Sequence, residues 1–99
     1  MVPSMADSCV AHYLGALAAV LGQHAAAQQH FDEALALHTA LQAPFHIART
    51  QLETARSLLA AGGSGAGPAA GKLLIQAEAT ARRRGYEAIR QACETLRAM

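Results

Sequence analysis

The five histidines of this 99-residue chain are the side chains best suited to chemistry, because imidazole binds zinc and copper and titrates near neutral pH. They are His12, His24, His30, His38 and His46. Two ligands on one helix face lie three or four residues apart, whereas His24, His30 and His38 are separated by six and eight. A zinc site needs three or four converging ligands. We therefore predict surface or half-buried polar roles for these histidines and no metal site.

No pattern in the sequence brings a nucleophile and a base together. Ser57 and Cys93 are the candidate nucleophiles, with a histidine as the base, but both fall on ordinary helical positions. Asp32 and Glu33 are adjacent, and neighbours on a helix point about 100° apart, which argues against a paired-carboxylate site. We therefore predict no enzymatic activity, no catalytic residue, no cofactor and no small-molecule substrate.

The segment around Gly71 and Lys72 superficially matches the phosphate-binding pattern G-x-x-x-x-G-K-[ST]. Ala66 stands where the first glycine is required, and Leu73 stands where Ser or Thr is required. The preceding segment also has a helical pattern, whereas a phosphate-binding loop follows a strand. We interpret the glycine-rich segment 62–68 as a flexible loop without a ligand.

Arg82, Arg83 and Arg84 form the densest charge cluster of the chain. They could contact phosphate or an acidic peptide. They could equally stabilise the C-terminal end of a helix, a contribution of roughly 0.3 to 1 kcal/mol for each exposed cation. Nucleic-acid binding also favours a strongly basic chain with stacking aromatic residues, and the net charge here is only +1. Weak nucleic-acid contact by a regulatory module of a transcription factor is therefore the alternative function, and the structural role is the first interpretation.

The charges are unevenly distributed along the chain. Residues 1–48 contain three acidic residues and no Lys or Arg, whereas residues 49–99 contain all eight Lys and Arg residues and four Glu. The electric field of such an uneven charge distribution can orient a partner or a second copy. A charged face exposed to solvent is the simpler explanation of the asymmetry.

The two cysteines and the N-terminal segment indicate the compartment. Cys9 and Cys93 lie near opposite ends of the chain, a spacing that is neither a disulfide framework nor a zinc motif. The first nine residues lack the basic residues and the apolar run of a secretory signal. No stretch reaches the roughly 18 apolar residues of a membrane span. We predict reduced, buried thiols in a cytoplasmic protein that has no membrane partner.

The composition favours a single all-α domain over residues 1–99. Apolar types make up 53% of the chain, yet aromatic residues are only 4% and Trp is absent. Burial must therefore come from Ala, Leu, Val and Ile, and alanine-rich segments favour closely packed helices over a sheet. About 99 residues also suffice for only one small core.

The first helix pair, hairpin 1, is predicted over about residues 6–41. Helix one covers 6–21, with Ser4 or Asp7 as its cap, and Gly22 ends it. Helix two begins at Gln23, and so short a connection makes the two helices antiparallel. The apolar residues at helical spacing are Val10, Leu14, Leu17, Ala18 and Leu21 on helix one, and Ala27, Phe31, Ala34, Leu35, Leu37 and Leu41 on helix two.

The second pair, hairpin 2, is predicted over about residues 44–84. Pro44 suits the first turn of helix three, which should stop near Ala61 before loop 62–68. Helix four covers 69–84, Gly85 closes it, and a shorter helix five covers about 86–97. The expected faces are Phe45, Ala48, Leu52, Ala55, Leu58 and Leu59 on helix three, Leu73, Leu74, Ala77 and Ala81 on helix four, and Ile89, Ala92, Cys93 and Leu96 on one side of helix five.

A pattern of small and large residues returns along the chain. Helix two contains Ala-x-x-x-Phe-x-x-Ala, and helix four contains Ala-x-x-x-Leu-x-x-Ala 43 residues later. Leu14-Gly15 lies on helix one, where a small residue allows a partner helix to approach. At these residues the sequence resembles the tetratricopeptide repeat (TPR), whose consensus has Leu-Gly in its first helix and Ala, Phe, Ala in its second. The matching residues are Leu14, Gly15, Ala27, Phe31, Ala34, Ala70, Leu74 and Ala77.

The resemblance covers hairpin 1 well and hairpin 2 less closely. Hairpin 2 offers Ala55 as its small residue but no Leu-Gly pair, and its glycine loop makes it longer than the usual 34 residues. Residues 30–62 are also similar to the degenerate helical repeats near the C-termini of large actinobacterial transcriptional regulators that carry ATPase or nucleotide-cyclase modules. The resemblance implies a right-handed superhelical stack of antiparallel hairpins and a repeat fragment or stand-alone relative that binds proteins.

These observations predict a protein–protein interaction module that is not an enzyme. Fewer than about three repeats rarely bury their faces, so two hairpins and one helix should leave an apolar face uncovered. We expect a partner protein, or a second copy in a homodimer, to cover it. The predicted contact residues are Tyr13 and Val20 on helix one, exposed positions around Ile89 on helix five, and Arg82, Arg83 and Arg84.

Overall fold

The chain folds into five helices that pack as sequential antiparallel pairs, which confirms the predicted all-α class. A computed structural model describes residues 4–63 and 65–98, and no strand occurs in those residues. None of the described helices combines the length and the apolar composition needed to cross a membrane. The helices are α1 (Met5–Val20), α2 (His24–Ala40), α3 (Pro44–Ala61), α4 (Ala66–Arg84) and α5 (Glu87–Ala98).

The helix ends of hairpin 1 follow from local hydrogen bonds. Ser4 caps α1, because its Oγ accepts a hydrogen bond from the backbone N–H of Asp7 at 3.2 Å. Gly22 follows the helix with a φ of +76°, a left-handed conformation that glycine adopts without strain. The backbone N–H of Gln23 then donates to the Ala18 carbonyl at 2.8 Å, and the chain reverses into α2.

Helix α4 begins at Ala66, three residues before the predicted start. The predicted loop 62–68 is therefore shorter than expected, and its Ser64 lies outside the described residues. Pro68 does not block the helix, because the first turn needs no backbone N–H donors and proline supplies none. The segment that resembled a phosphate-binding loop is thus the first two turns of a helix.

Helix α1 packs through a different face from the predicted one. Its buried residues are small or polar, whereas the predicted apolar residues other than Ala18 are exposed. The reason is the close approach of α2: a Cβ on Gly15 would lie 2.6 Å from Cδ1 of Phe31. Only a face of small residues permits this spacing. The buried residues of α1 are Ser8, Ala11, His12, Gly15 and Ala18.

The larger apolar core lies between α3, α4 and α5. Most of its buried members are alanines, so the helices approach closely and each residue buries little area. Hairpin 1 has a smaller cluster around Phe31, Ala27 and Ala18. Phe45 and Leu59 of α3 were predicted to be buried but are each 40% exposed, because they lie at the edges of the buried face. The larger core consists of Ala48, Leu52, Ala55, Ala70, Leu74, Ala77, Ala81, Ile89 and Cys93.

Candidate functional site

The outer face of α1 carries a continuous row of exposed apolar side chains, which we call the α1 stripe. Its six members are between 43% and 83% exposed. Asp7 is the one Lys, Arg, Asp or Glu residue of α1, and it lies one turn before Val10, where Asp7 and Glu33 line a shallow pocket together with Val10 and Leu14. None of the six stripe side chains is charged, but these two carboxylates border the N-terminal end of the stripe. Its members are Val10, Tyr13, Leu14, Leu17, Val20 and Leu21.

The α1 stripe is at the upper end of what a monomer usually exposes. Its fractional exposures correspond to on the order of 700 Å² of total residue surface, backbone atoms and the Tyr13 hydroxyl included, and the largest apolar patch of a typical monomer is about 300–600 Å². A standard protein–protein interface buries about 800 Å² on each partner. The stripe is thus large enough to serve as most of one side of an interface.

The predicted contact residues divide between the surface and the core. Tyr13 and Val20 are 64% and 83% exposed, so their predicted surface position is confirmed. Ile89 is only 6% exposed, and the prediction that it belongs to an exposed surface was wrong. Ile89 shares the inner face of α5 with Cys93 one turn later, and both join the α3–α4–α5 core.

The arginine cluster lies at the C-terminal end of α4, where Arg82, Arg83 and Arg84 are exposed. Arg82 forms an ion pair with Glu78 at 2.8 Å, and the side chain of Arg97 binds the other oxygen of Glu78. The hydrogen bond from Arg82, followed by that from Arg97, lowers the pKa of Glu78. Part of the positive charge at this end is therefore already neutralised within the fold.

A buried polar cluster connects α1, α2 and α3. The hydroxyl of Thr50 on α3 lies 2.8 Å from Nδ1 of His12 on α1 and 3.1 Å from Nε2 of His38 on α2. Because one hydroxyl has one proton and two lone pairs, it donates to at most one imidazole and accepts an N–H from at least one of them. The ring of His46 stacks on His38 with 5.3 Å between the centroids. We call His12, His38, His46 and Thr50 the histidine cluster.

The histidine cluster is held in its neutral form. Burial, followed by the charge of Arg49, lowers the pKa of His12 to about 4. Burial, followed by the neighbouring His46, lowers the pKa of His38 to about 4. The pKa of His46 is also lowered, first by burial. Neutral rings that share one threonine hydroxyl serve here as hydrogen-bonding groups between the hairpins.

Sequence reasoning missed this cluster because it compared histidines within single helices. The rings come from three different helices; His12 and His38 are buried, and His46 is half-buried. A signal was present, since His38 continues the buried series Ala27, Phe31 and Ala34 of α2 at helical spacing. Within residues 4–63 and 65–98, no group of three or more His, Cys, Asp or Glu side chains has the geometry to hold a metal ion.

The candidate nucleophiles are buried in the fold. Ser57 is covered on α3, and Cys93 lies in the α3–α4–α5 core. Burial, followed by the charge of Glu78, raises the pKa of the Cys93 thiol, which keeps it protonated and unreactive. Asp32 and Glu33 are both exposed on α2.

An open groove of about 600 Å³ lies between the C-terminal ends of α3 and α5, above the first half of α4. Apolar residues such as Leu59, Leu74 and Leu96 line most of it, and Arg56 and Arg97 stand at its edge. Both arginines are already paired, with Glu53 and with Glu78 respectively. The groove therefore has a defined shape, but neither of its two arginines is unpaired and available to select a charged ligand.

Comparison of the chain with family models, with curated proteins and with solved structures gives no significant match. The interpretation of these sites therefore depends on the chain's own geometry.

Proposed function

We propose that this chain is a non-enzymatic protein–protein interaction module of the TPR-like class, which docks a protein surface through exposed helix faces. The observation that carries the proposal is the α1 stripe, a large uncharged surface on a helix whose opposite face is already packed. Binding a partner over an apolar area of this size is favourable, because it removes apolar surface from water.

The two hairpins support assignment to a common repeat. The three matching positions of α2 and the three of α4 are all buried. Gly15 packs against Phe31 in hairpin 1, and Ala55 shares a core with Leu74 in hairpin 2. We propose that α1 to α4 are two consecutive TPR-like units in a right-handed stack, and that α5 is the first helix of a third. The repeated positions are Ala27, Phe31 and Ala34, matched by Ala70, Leu74 and Ala77.

The proposal is tested by comparing co-purified proteins for the tagged wild type, Leu17→Glu and Ile75→Glu in the source cells. Leu17 lies in the middle of the stripe, whereas Ile75 is a similarly exposed apolar residue on α4. We expect the wild type and Ile75→Glu to recover the same proteins, copies of the chain included, and Leu17→Glu to lose them. Equal recovery by all three variants would refute the proposal.

Weak nucleic-acid contact through Arg82, Arg83 and Arg84 is the second candidate, and the exposure of these residues at one helix end favours it. The ion pair of Arg82 with Glu78 works against it. A labelled DNA duplex titrated at low salt distinguishes the two functions, because phosphate contacts strengthen as the salt concentration falls. Absence of binding at low salt removes this candidate.

A further inference from the structure

Hairpin 2 indicates what kind of surface covers the α1 stripe. When Gly15 is aligned with Ala55, the stripe positions Val10, Leu14 and Leu17 correspond to Thr50, Thr54 and Ser57 of α3. Those α3 residues are only 0%, 1% and 6% exposed, because the preceding hairpin packs on them. The equivalent α1 residues are 57%, 43% and 56% exposed. A helical surface thus covers these three positions in hairpin 2, and the equivalent three are uncovered in hairpin 1.

The chemistry of the stripe differs from that of the covered face on α3. The α3 face is polar, and the hydroxyls of Thr50 and Thr54 are hydrogen-bonded, whereas the α1 stripe consists of apolar side chains and one tyrosine. Three pairs of stripe residues repeat at seven positions, which is the spacing of the contact seam between two paired helices. The surface that fits is therefore another uncharged apolar helix. The pairs are Val10 with Leu17, Tyr13 with Val20, and Leu14 with Leu21.

The other end of the stack does not fit this requirement. The outward residues of α5 include Glu87, Gln91, Glu94 and Thr95, all of them exposed. Head-to-tail stacking would bury the ion pairs that Arg90 forms with Glu87 and Glu94 against the apolar stripe, and removing such a charged network from water costs free energy that no apolar side chain returns. The stripe of a second copy offers a matching uncharged surface. An isologous pair also closes after two copies, so it forms a discrete dimer.

We propose that two copies of this chain form a two-fold homodimer through antiparallel packing of their α1 stripes, an inference that rests on the proposed interaction function. Complete burial of both stripes would remove on the order of 1,400 Å² from water, an upper bound that lies within the roughly 1,200–2,000 Å² of stable interfaces. The antiparallel arrangement places the N-terminal end of each α1 beside the C-terminal end of the other, where the helix dipoles attract. Val10 of one copy then faces Leu21 of the other, and Leu14 faces Leu17.

Light scattering of the purified full chain between 1 and 200 µM is the first test. We expect the wild type to reach twice the 10.3 kDa chain mass. Leu17→Glu places a carboxylate in each half of the interface and should weaken dimerisation at least 100-fold, whereas Ile75→Glu should remain dimeric. Circular dichroism checks that both variants stay helical, as expected for residues that are 56% and 59% exposed.

A wild type that stays at 10.3 kDa, or a Leu17→Glu variant that stays dimeric, overturns the dimer. A monomeric wild type that still recovers a protein in a Leu17-dependent manner refutes the dimer alone and leaves the interaction function standing. If no protein is recovered and no dimer forms, both proposals fail.

Disulfide cross-linking tests the antiparallel arrangement. In a background with Cys9→Ser and Cys93→Ala, the double variant Val10→Cys, Leu21→Cys should form a covalent dimer under mild oxidation. Val10→Cys alone should not cross-link, because its two copies would lie about 16 Å apart along the helices. Efficient cross-linking of the Val10→Cys single variant would instead show parallel helices and overturn the proposed arrangement.

Discussion

Acidification should destabilise this protein well above the pH at which carboxylates titrate. The folded state holds the pKa of both His12 and His38 at about 4, compared with 6.5 in the unfolded chain. Between these values the unfolded chain binds protons that the folded chain excludes, so stability is lost as the pH falls. The contribution is fully present above pH 6.5 and declines progressively toward pH 4.

The size of the effect follows from the two pKa values. A shift of one pKa unit corresponds to about 1.4 kcal/mol. At pH 5.5, which is one unit below the pKa of a histidine in the unfolded chain, the unfolded histidine is mostly protonated and the folded one is still neutral. Each histidine therefore lowers the free energy of unfolding by about 1.4 kcal/mol at this pH. His12 and His38 together should lower the free energy of unfolding by about 3 kcal/mol between pH 7.5 and 5.5. The total free energy of unfolding of a native protein is only about 5–15 kcal/mol.

The assay is urea unfolding followed by circular dichroism at pH 7.5, 6.5 and 5.5. This window precedes most carboxylate titration, so the loss of the Glu78 ion pairs contributes little. His38→Gln removes one titrating group of the histidine cluster and should reduce the pH-dependent loss by about 1.4 kcal/mol, whatever its effect at pH 7.5. His30→Gln, outside the histidine cluster, is the matched control for the replacement of histidine by glutamine. An unfolding free energy that stays constant between pH 7.5 and 5.5 would refute the reasoning.

Two further substitutions test the packing of hairpin 1. Gly15→Ala should destabilise the fold by about 1–3 kcal/mol in urea unfolding, because the added Cβ would lie 2.6 Å from the ring of Phe31; a neutral result would mean that α1 and α2 separate freely. Thr50→Val keeps the shape of the side chain but removes the hydroxyl shared by two histidines, and should cost about 1–3 kcal/mol by the same measurement. Unchanged stability would show that this hydroxyl does not connect the hairpins.

The helices were predictable because the glycine and proline residues at helix boundaries agree with the periodicity of the apolar residues between them. Gly22, Pro44 and Gly85 stand close to the boundaries that the structure shows. Three inner residues of α2 were also predictable, since Ala27, Phe31 and Ala34 repeat at helical spacing. The other residues of its predicted face, Leu35, Leu37 and Leu41, are only half-buried, and His38 takes the fourth buried position. Local sequence was sufficient wherever one face of a helix was clearly more apolar than the others.

The buried face of α1 was not predictable by the same reasoning. Ala11, Gly15 and Ala18 repeat with the same period as Val10, Leu14 and Leu17, displaced by one residue. A preference for large apolar residues selects the second series, whereas the closely approaching α2 selects the first. The choice depends on the shape of the partner helix, which periodicity does not encode. The histidine cluster was missed for the same reason, because its members meet only after three helices have packed.

The two sides of hairpin 1 therefore differ in what they can recognise. Its junction with hairpin 2 depends on hydrogen bonds between the Thr50 hydroxyl and the rings of His12 and His38, and a displaced neighbour would leave these buried polar atoms without partners. Only one register of hairpin 1 against hairpin 2 satisfies these hydrogen bonds, so the two hairpins pack in one fixed arrangement. The α1 stripe carries no such requirement, so any uncharged apolar helix of matching spacing can pack on it. Selectivity at the stripe must then come from excluding charge, which is why a single carboxylate at Leu17 should be sufficient to separate the copies.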